Sequence, residues 1–167
     1  MGARTQGDWP VTGIVRLPQT LHFATHGMVV PEQPELSALV LSQVAGDSSG
    51  QDGYLLMDEI AQLKLQADFV ALSACETGLG KIYGGEGVVG LTQAFLIAGA
   101  SGLSVSLWQV ADESTARFML EVYRLQRAGS HDWPAAITAV KRRFAKGDFG
   151  AAWKDPHYWA PFVYYGR

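Results

Sequence analysis

The only cysteine of the chain, Cys75, ends an apolar run, FVALSAC, and precedes a turn, ETGLG. A second apolar run, LHFATHG, ends in His26 and Gly27. A thiolate is a strong nucleophile, and a neighbouring imidazole can hold a thiol in that form. The two residues are therefore a candidate nucleophile and base. Each also has an ordinary alternative: a small buried hydrophobe for Cys75 and a hydrogen-bonded turn residue for His26.

Strands alternate with helices along the chain, which is typical of an α/β fold with a mainly parallel sheet. The apolar runs predict strands over residues 21–26, 37–43, 54–56, 68–74, 103–108 and 160–166. The amphipathic or apolar stretches predict helices over residues 58–65, 88–99, 113–127 and 133–146, with Asp58 capping the first and Asp132 the last. Residues 1–20 carry no such pattern and are predicted to be irregular.

The predicted strand at 68–74 is apolar without alternation, so we expect helices to cover both of its faces. Sites in parallel sheets form at the carboxyl ends of strands. If the strands that lead to His26 and Cys75 are neighbours, the imidazole and the thiol lie at the same edge. His22, four residues before His26 on the same face, would lie roughly 13 Å below that edge and is interpreted as a core residue.

Three further groups lie near this edge by sequence. The backbone N–H groups of Gly27 and Cys75 are candidates for an oxyanion hole. Asp112 follows the strand at 103–108 and either binds a cationic side chain or caps the helix that starts at Glu113. The Gly-rich run at residues 84–87 lacks the Gly-Lys-Ser/Thr ending of a phosphate-binding loop, so nucleotide binding is the weaker interpretation.

Composition and charge exclude several classes of protein function. The 167 residues are 48% hydrophobic with a net charge of −3, which predicts one globular domain that binds neither nucleic acid nor an anionic membrane. No apolar run approaches the roughly 18 residues of a membrane helix. One cysteine excludes an internal disulfide, which suits the cytoplasm. Four scattered histidines do not predict a metal site, and we expect no cofactor.

The order of five motifs resembles a known family. HFATHG, LSACETG, GGEGVVGLTQAFLIAGA, SLWQVADESTARF and HYWAPFVYYG are similar, in that order, to the blocks of the CHAT domain. CHAT domains are caspase-like cysteine peptidases related to separase and often joined to tetratricopeptide (TPR) repeats. The resemblance covers roughly residues 21–166. It implies a caspase-like three-layer sandwich, with a mostly parallel central sheet and helices on both faces, in a peptidase domain over residues 21–167.

The resemblance also implies roles for single residues. Cys75 matches the family's nucleophile and His26 its base, with Gly27 and the Cys75 amide at the oxyanion-hole positions. Asp112, or the adjacent Glu113, resembles the acid that selects arginine or lysine before the cut. Glu76 and Gly78 belong to the motif around Cys75 and are given supporting roles.

The predicted function is a cysteine endopeptidase that cleaves a protein or peptide after arginine or lysine. The resemblance further implies regulated proteolysis, in bacterial defence or programmed cell death. The alternative is a catalytically silent caspase-like scaffold that depends on a partner chain. Family members usually carry a further strand and helix before HFATHG. We therefore expect association with a partner or with a missing N-terminal region that contains TPR repeats.

Overall fold

The computed structural model describes residues 14–17, 19–28, 30, 33–41, 52–73, 86–129 and 132–166. The strands in these ranges are β1 (Ile14–Leu17), β2 (Thr20–Phe23), β3 (His26–Met28), β4 (Ala38–Val40), β5 (Tyr54–Leu56), β6 (Phe69–Leu72), β7 (Gly102–Ser106) and β8 (Phe162–Gly166). The helices are α1 (Met57–Gln62), α2 (Glu86–Ile97), α3 (Asp112–Arg127) and α4 (Trp133–Lys146). Short 3₁₀ helices span Pro34–Leu36, Ala151–Lys154 and Pro156–Tyr158.

A five-stranded sheet with the order β1-β2-β6-β7-β8 runs through the centre of the molecule. Strands β2, β6 and β7 are parallel neighbours. The outermost strands, β1 and β8, pair antiparallel with β2 and β7. The predicted α/β fold with a mostly parallel central sheet is confirmed. Because β6 lies between β2 and β7, the strand that leads to Cys75 is at the middle of the sheet.

Strand β6 is packed on both faces, as its unbroken apolar sequence predicts. Val70 and Leu72 belong to a core cluster with side chains of α1 and α2. Phe69 and Ala71 belong to a second cluster with side chains of α3 and α4. All four residues are at most 2% exposed, and burial of each large one contributes about 2 kcal/mol. The two clusters therefore fix β6 from opposite sides.

A second, three-stranded sheet is antiparallel throughout, with the order β3-β4-β5. Its Leu39 and Leu55 are buried in the same cluster as Val70. The prediction of one strand over residues 21–26 is therefore wrong. Strand β2 ends at Phe23, and His26 begins a strand of the other sheet. The Thr25 hydroxyl donates a hydrogen bond to the Val40 carbonyl, which ties the turn between them to β4.

Two other local predictions need correction. Residues 1–20 are not irregular throughout, because Ile14–Leu17 pairs with β2 as a strand; residues 1–13 lie outside the described ranges. Asp58 does not cap α1. The helix begins at Met57, and the Glu59 carboxylate accepts the Leu56 N–H at 3.0 Å.

The predicted start of α4 is confirmed. The Asp132 carboxylate accepts a hydrogen bond from the Ala135 N–H at 2.9 Å, and Pro134 lies in the first turn. A proline is tolerated there because the first N–H groups of a helix have no intrahelical partner.

Candidate active site

Three segments leave the central sheet at the same side, because β2, β6 and β7 are parallel and their carboxyl ends lie next to each other. This side, where the three strands end, is the carboxyl edge of the sheet. The segment after β2 carries His26. The segment after β6 begins at Ser73 and enters residues 74–85, which lie outside the described ranges and include Cys75, Glu76 and Gly78. The segment after β7 leads to Asp112 at the start of α3.

The strands that lead to His26 and Cys75 are hydrogen-bonded neighbours. Phe23 is the register partner of Leu72, and the Ser73 N–H continues the ladder to the Phe23 carbonyl at 2.9 Å. His26 follows Phe23 by three residues (26 − 23), and Cys75 follows Leu72 by three (75 − 72). The described chain therefore leaves the two neighbouring strands at the same level, three residues before His26 on one strand and three residues before Cys75 on the other.

His26 begins β3, and its side chain is exposed. Its register partner is Val40, whose carbonyl also accepts the Thr25 hydroxyl. Gly27 is buried and pairs with Leu39. These contacts place the imidazole at the surface on a short strand held by both a ladder and a side-chain hydrogen bond.

Asp112 lies in an open pocket of about 720 Å³ just past the end of β7. The pocket is lined by Trp108, Gln109, Val110, Ala111, Asp112 and His157. Asp112 is exposed, and its carboxylate makes no ion pair with any described residue. A carboxylate at this position gives the pocket a negative charge beside an aromatic wall, which favours a cationic occupant.

Asp112 is not the helix cap that the sequence left open as an alternative. The helix α3 includes Asp112 as its first residue, and Ala111 occupies the N-cap position without a side-chain hydrogen bond. Glu113 is exposed in the same turn but is not among the residues that line the pocket. The geometry therefore distinguishes the two acids, which the sequence alone did not.

His157 lies in the HYWAPFVYYG block but is not among the predicted site residues. The Trp108 indole N–H donates to the His157 carbonyl at 3.0 Å, and the two rings stack with centroids 6.4 Å apart. This contact joins the segment after β7 to the 3₁₀ helix Pro156–Tyr158 and forms one side of the pocket. The ring residues were visible in the sequence, but the separation of 49 positions concealed their contact.

His22 lies on β2, below this edge, and is half-buried rather than part of either core cluster. Its Nε2 lies 2.8 Å from the Ser73 hydroxyl and its Nδ1 lies 3.0 Å from the Tyr123 hydroxyl. Burial lowers the pKa of the His22 imidazole, which favours the neutral ring. Burial likewise raises the pKa of the Tyr123 phenol, so its proton is retained.

The described residues contain no group of three His, Cys, Asp or Glu side chains that could hold a metal ion. In the same ranges, no helix is both long enough and apolar enough to cross a membrane.

The family model of the CHAT domain matches residues 13–167. The chain belongs to the CHAT domain family. The match begins one residue before β1 and ends with the chain, so it takes in every strand and helix described above. It includes both sheets and the pocket of this CHAT domain. A search of curated proteins found no matching relative. CHAT domains form a caspase-like peptidase family.

Proposed function

We propose that this CHAT domain is a cysteine endopeptidase with a caspase-like three-layer fold that cleaves after arginine or lysine through Cys75 and His26. One observation carries the proposal. The strands that lead to the two residues are parallel neighbours, and the next parallel strand leads to a pocket that contains Asp112. Nucleophile, base and acidic pocket thus belong to three successive strand ends at one edge.

In the proposed reaction, the Cys75 thiolate attacks the scissile carbonyl carbon, and the Gly27 and Cys75 N–H groups stabilise the oxyanion. The protonated His26 then gives its proton to the leaving amine as the C–N bond breaks. Water, deprotonated by His26, hydrolyses the thioester and regenerates the thiol. The exposed position of His26 on β3 supports this role because substrate must reach the imidazole. Glu76 and Gly78, which belong to the motif around Cys75, are assigned supporting roles.

The acidic pocket supplies the proposed specificity. An arginine or lysine side chain that enters it pairs with the Asp112 carboxylate, and the indole of Trp108 offers a face for a cation. Glu113 lies outside the pocket lining and provides a matched control. Asp112→Asn is expected to lower kcat/KM for arginine and lysine substrates by about 10- to 100-fold, whereas Glu113→Gln changes it by less than about threefold.

The test is cleavage of a fluorogenic peptide library that varies the residue before the cut. Wild type, Cys75→Ala, His26→Ala, Asp112→Asn and Glu113→Gln are compared at equal concentration. The proposal requires cleavage after basic residues that disappears in the first two variants. Cleavage that persists in Cys75→Ala contradicts it. Folded wild-type protein without cysteine-dependent cleavage of peptides or proteins would instead favour a catalytically silent scaffold that binds a partner chain.

A further inference from the structure

His22 connects the strands that lead to both proposed dyad residues. It lies on β2, four residues before His26, and its Nε2 meets the Ser73 hydroxyl at 2.8 Å. Ser73 directly follows β6 and precedes Cys75 by two residues. The Ser73 N–H also donates a hydrogen bond to the Phe23 carbonyl of β2. A backbone bond and a side-chain bond therefore join the two strands just before they leave the sheet.

The same imidazole reaches a third element. Its Nδ1 lies 3.0 Å from the hydroxyl of Tyr123 on α3, and the two rings are 5.8 Å apart with a tilt of 54°. Helix α3 begins at Asp112, the acid of the proposed specificity pocket. One side chain thus contacts the strand that leads to the nucleophile and the helix that carries the acid, while its own strand leads to the base.

The neutral form of the His22 imidazole can hydrogen-bond to both of its partners at once. Burial favours the neutral imidazole, which presents one N–H donor and one acceptor nitrogen. Both partners are hydroxyl groups, which can donate or accept, so either tautomer satisfies both ring nitrogens. The exposed His26, in contrast, is placed where a proton can be exchanged with substrate. The two histidines of HFATHG therefore have different environments.

We propose that His22 is a positioning residue that aligns the His26 and Cys75 segments with each other and with α3, an inference that rests on the proposed function. An error of about 1 Å in the geometry of reacting groups can reduce a rate by roughly 100-fold. The effect of His22 is therefore expected in kcat and in the reactivity of Cys75, with little change in KM.

Alkylation provides the first readout, since Cys75 is the only thiol of the chain. The rate of its reaction with iodoacetamide is measured against pH for wild type, His26→Ala, His22→Leu, His22→Gln and Tyr123→Phe. Tyr164→Phe is the matched control because Tyr164 is also half-buried but lies on the edge strand β8. Steady-state kcat and KM are measured on the same proteins, and thermal melts establish that each is folded.

We expect His22→Leu to move the midpoint of the alkylation profile upward toward that of His26→Ala and to lower kcat by about 10- to 100-fold, with KM within about threefold. His22→Gln, whose amide retains a polar group toward Ser73, recovers part of both losses. Tyr123→Phe shows a smaller shift, and Tyr164→Phe matches wild type. If His22→Leu does not fold, Tyr123→Phe and Ser73→Ala decide the question.

Folded variants of His22 or Tyr123 that keep the wild-type midpoint and kcat overturn the inference and leave His22 a stabilising residue only. Failure of the dyad itself is a different result. In that case wild type and His26→Ala have the same alkylation midpoint, and the positioning role is rejected together with the dyad.

Discussion

At the scale of single residues, Glu121 is the most constrained charge in the described part of the chain. Its side chain is only 3% exposed, and Arg117, Arg124 and Arg143 contact it at 3.3, 3.2 and 2.8 Å. Burial by itself raises the pKa of this carboxyl, but the hydrogen bond from Arg143 and the three guanidinium charges outweigh it and lower the pKa. The contact with Arg143 joins α3, the helix that begins at Asp112, to α4.

Glu121→Gln is expected to lower the free energy of unfolding by about 2 kcal/mol, because it removes the buried anion that Arg117, Arg124 and Arg143 share. Asp148→Asn is the matched control. Asp148 contacts the same Arg143 at 3.4 Å but is 43% exposed, so its loss costs less than about 1 kcal/mol. Urea unfolding near neutral pH measures both. Equal costs for the two variants would contradict the importance assigned to burial.

The lowered pKa of His22 predicts a pH dependence of stability. The unfolded chain takes up a proton near the ordinary value of 6.5, whereas the folded chain resists protonation to lower pH. The unfolded state therefore binds more protons in that interval, and the free energy of unfolding decreases as pH falls below 6.5. Urea unfolding between about pH 7.5 and pH 5.5 should show a steeper decrease for wild type than for His22→Gln. If the free energy of unfolding decreased equally with pH for wild type and His22→Gln, the assignment of this pH dependence to His22 would be contradicted.

At the scale of elements, the junction after α2 fixes the helix that follows the Cys75 segment. Gly99 has φ +107°, and a Cβ built there would overlap the carbonyl oxygen of Leu65. The Leu65 N–H also donates to the Ala98 carbonyl at 2.7 Å. The C-terminal end of α2 is therefore held against the segment that precedes β6 by a close backbone approach that only glycine permits.

Gly99→Ala is expected to lower the free energy of unfolding by about 3 kcal/mol, from left-handed strain and steric overlap together. Gly129→Ala provides the control. Gly129 has φ +68° at the end of α3, but a Cβ there meets nothing within 4 Å, so it should cost about 1 kcal/mol. Thermal or urea unfolding compares the two. If Gly99→Ala lowered the free energy of unfolding no more than Gly129→Ala does, the predicted steric overlap with Leu65 would be contradicted.

The sequence patterns predicted the positions of helices and strands better than they predicted which strands pair with each other. The unbroken apolar run of β6 and the Asp132–Pro134 start of α4 report local physical preferences, so they could be read directly. The apolar run at 21–26 concealed a change of sheet at Ala24 and Thr25, because apolar character alone does not show which strand a residue pairs with. The cap at Asp58 failed because Glu59, one residue later, reaches the Leu56 N–H.

At the scale of the whole molecule, the order of the central sheet brings distant sequence positions to one edge. His26, the Cys75 segment and Asp112 are far apart in the chain, yet they follow the adjacent strands β2, β6 and β7. The general rule for parallel sheets predicted that edge, but the sequence did not reveal that the three strands are neighbours. It also gave no means to foresee the contacts of His22 or the Trp108–His157 wall, because each joins separate elements.

The most direct test of the central claim is the mass of the intact protein after exposure to two peptidyl chloromethyl ketones that differ only in an arginine or an aspartate beside the reactive group. The account predicts one adduct, located on Cys75, from the arginine reagent and a much slower reaction with the aspartate reagent. His26→Ala should lose this selective labelling, and Cys75→Ala should show no adduct. Equal rates with the two reagents, unchanged in His26→Ala, would contradict the proposed dyad and pocket.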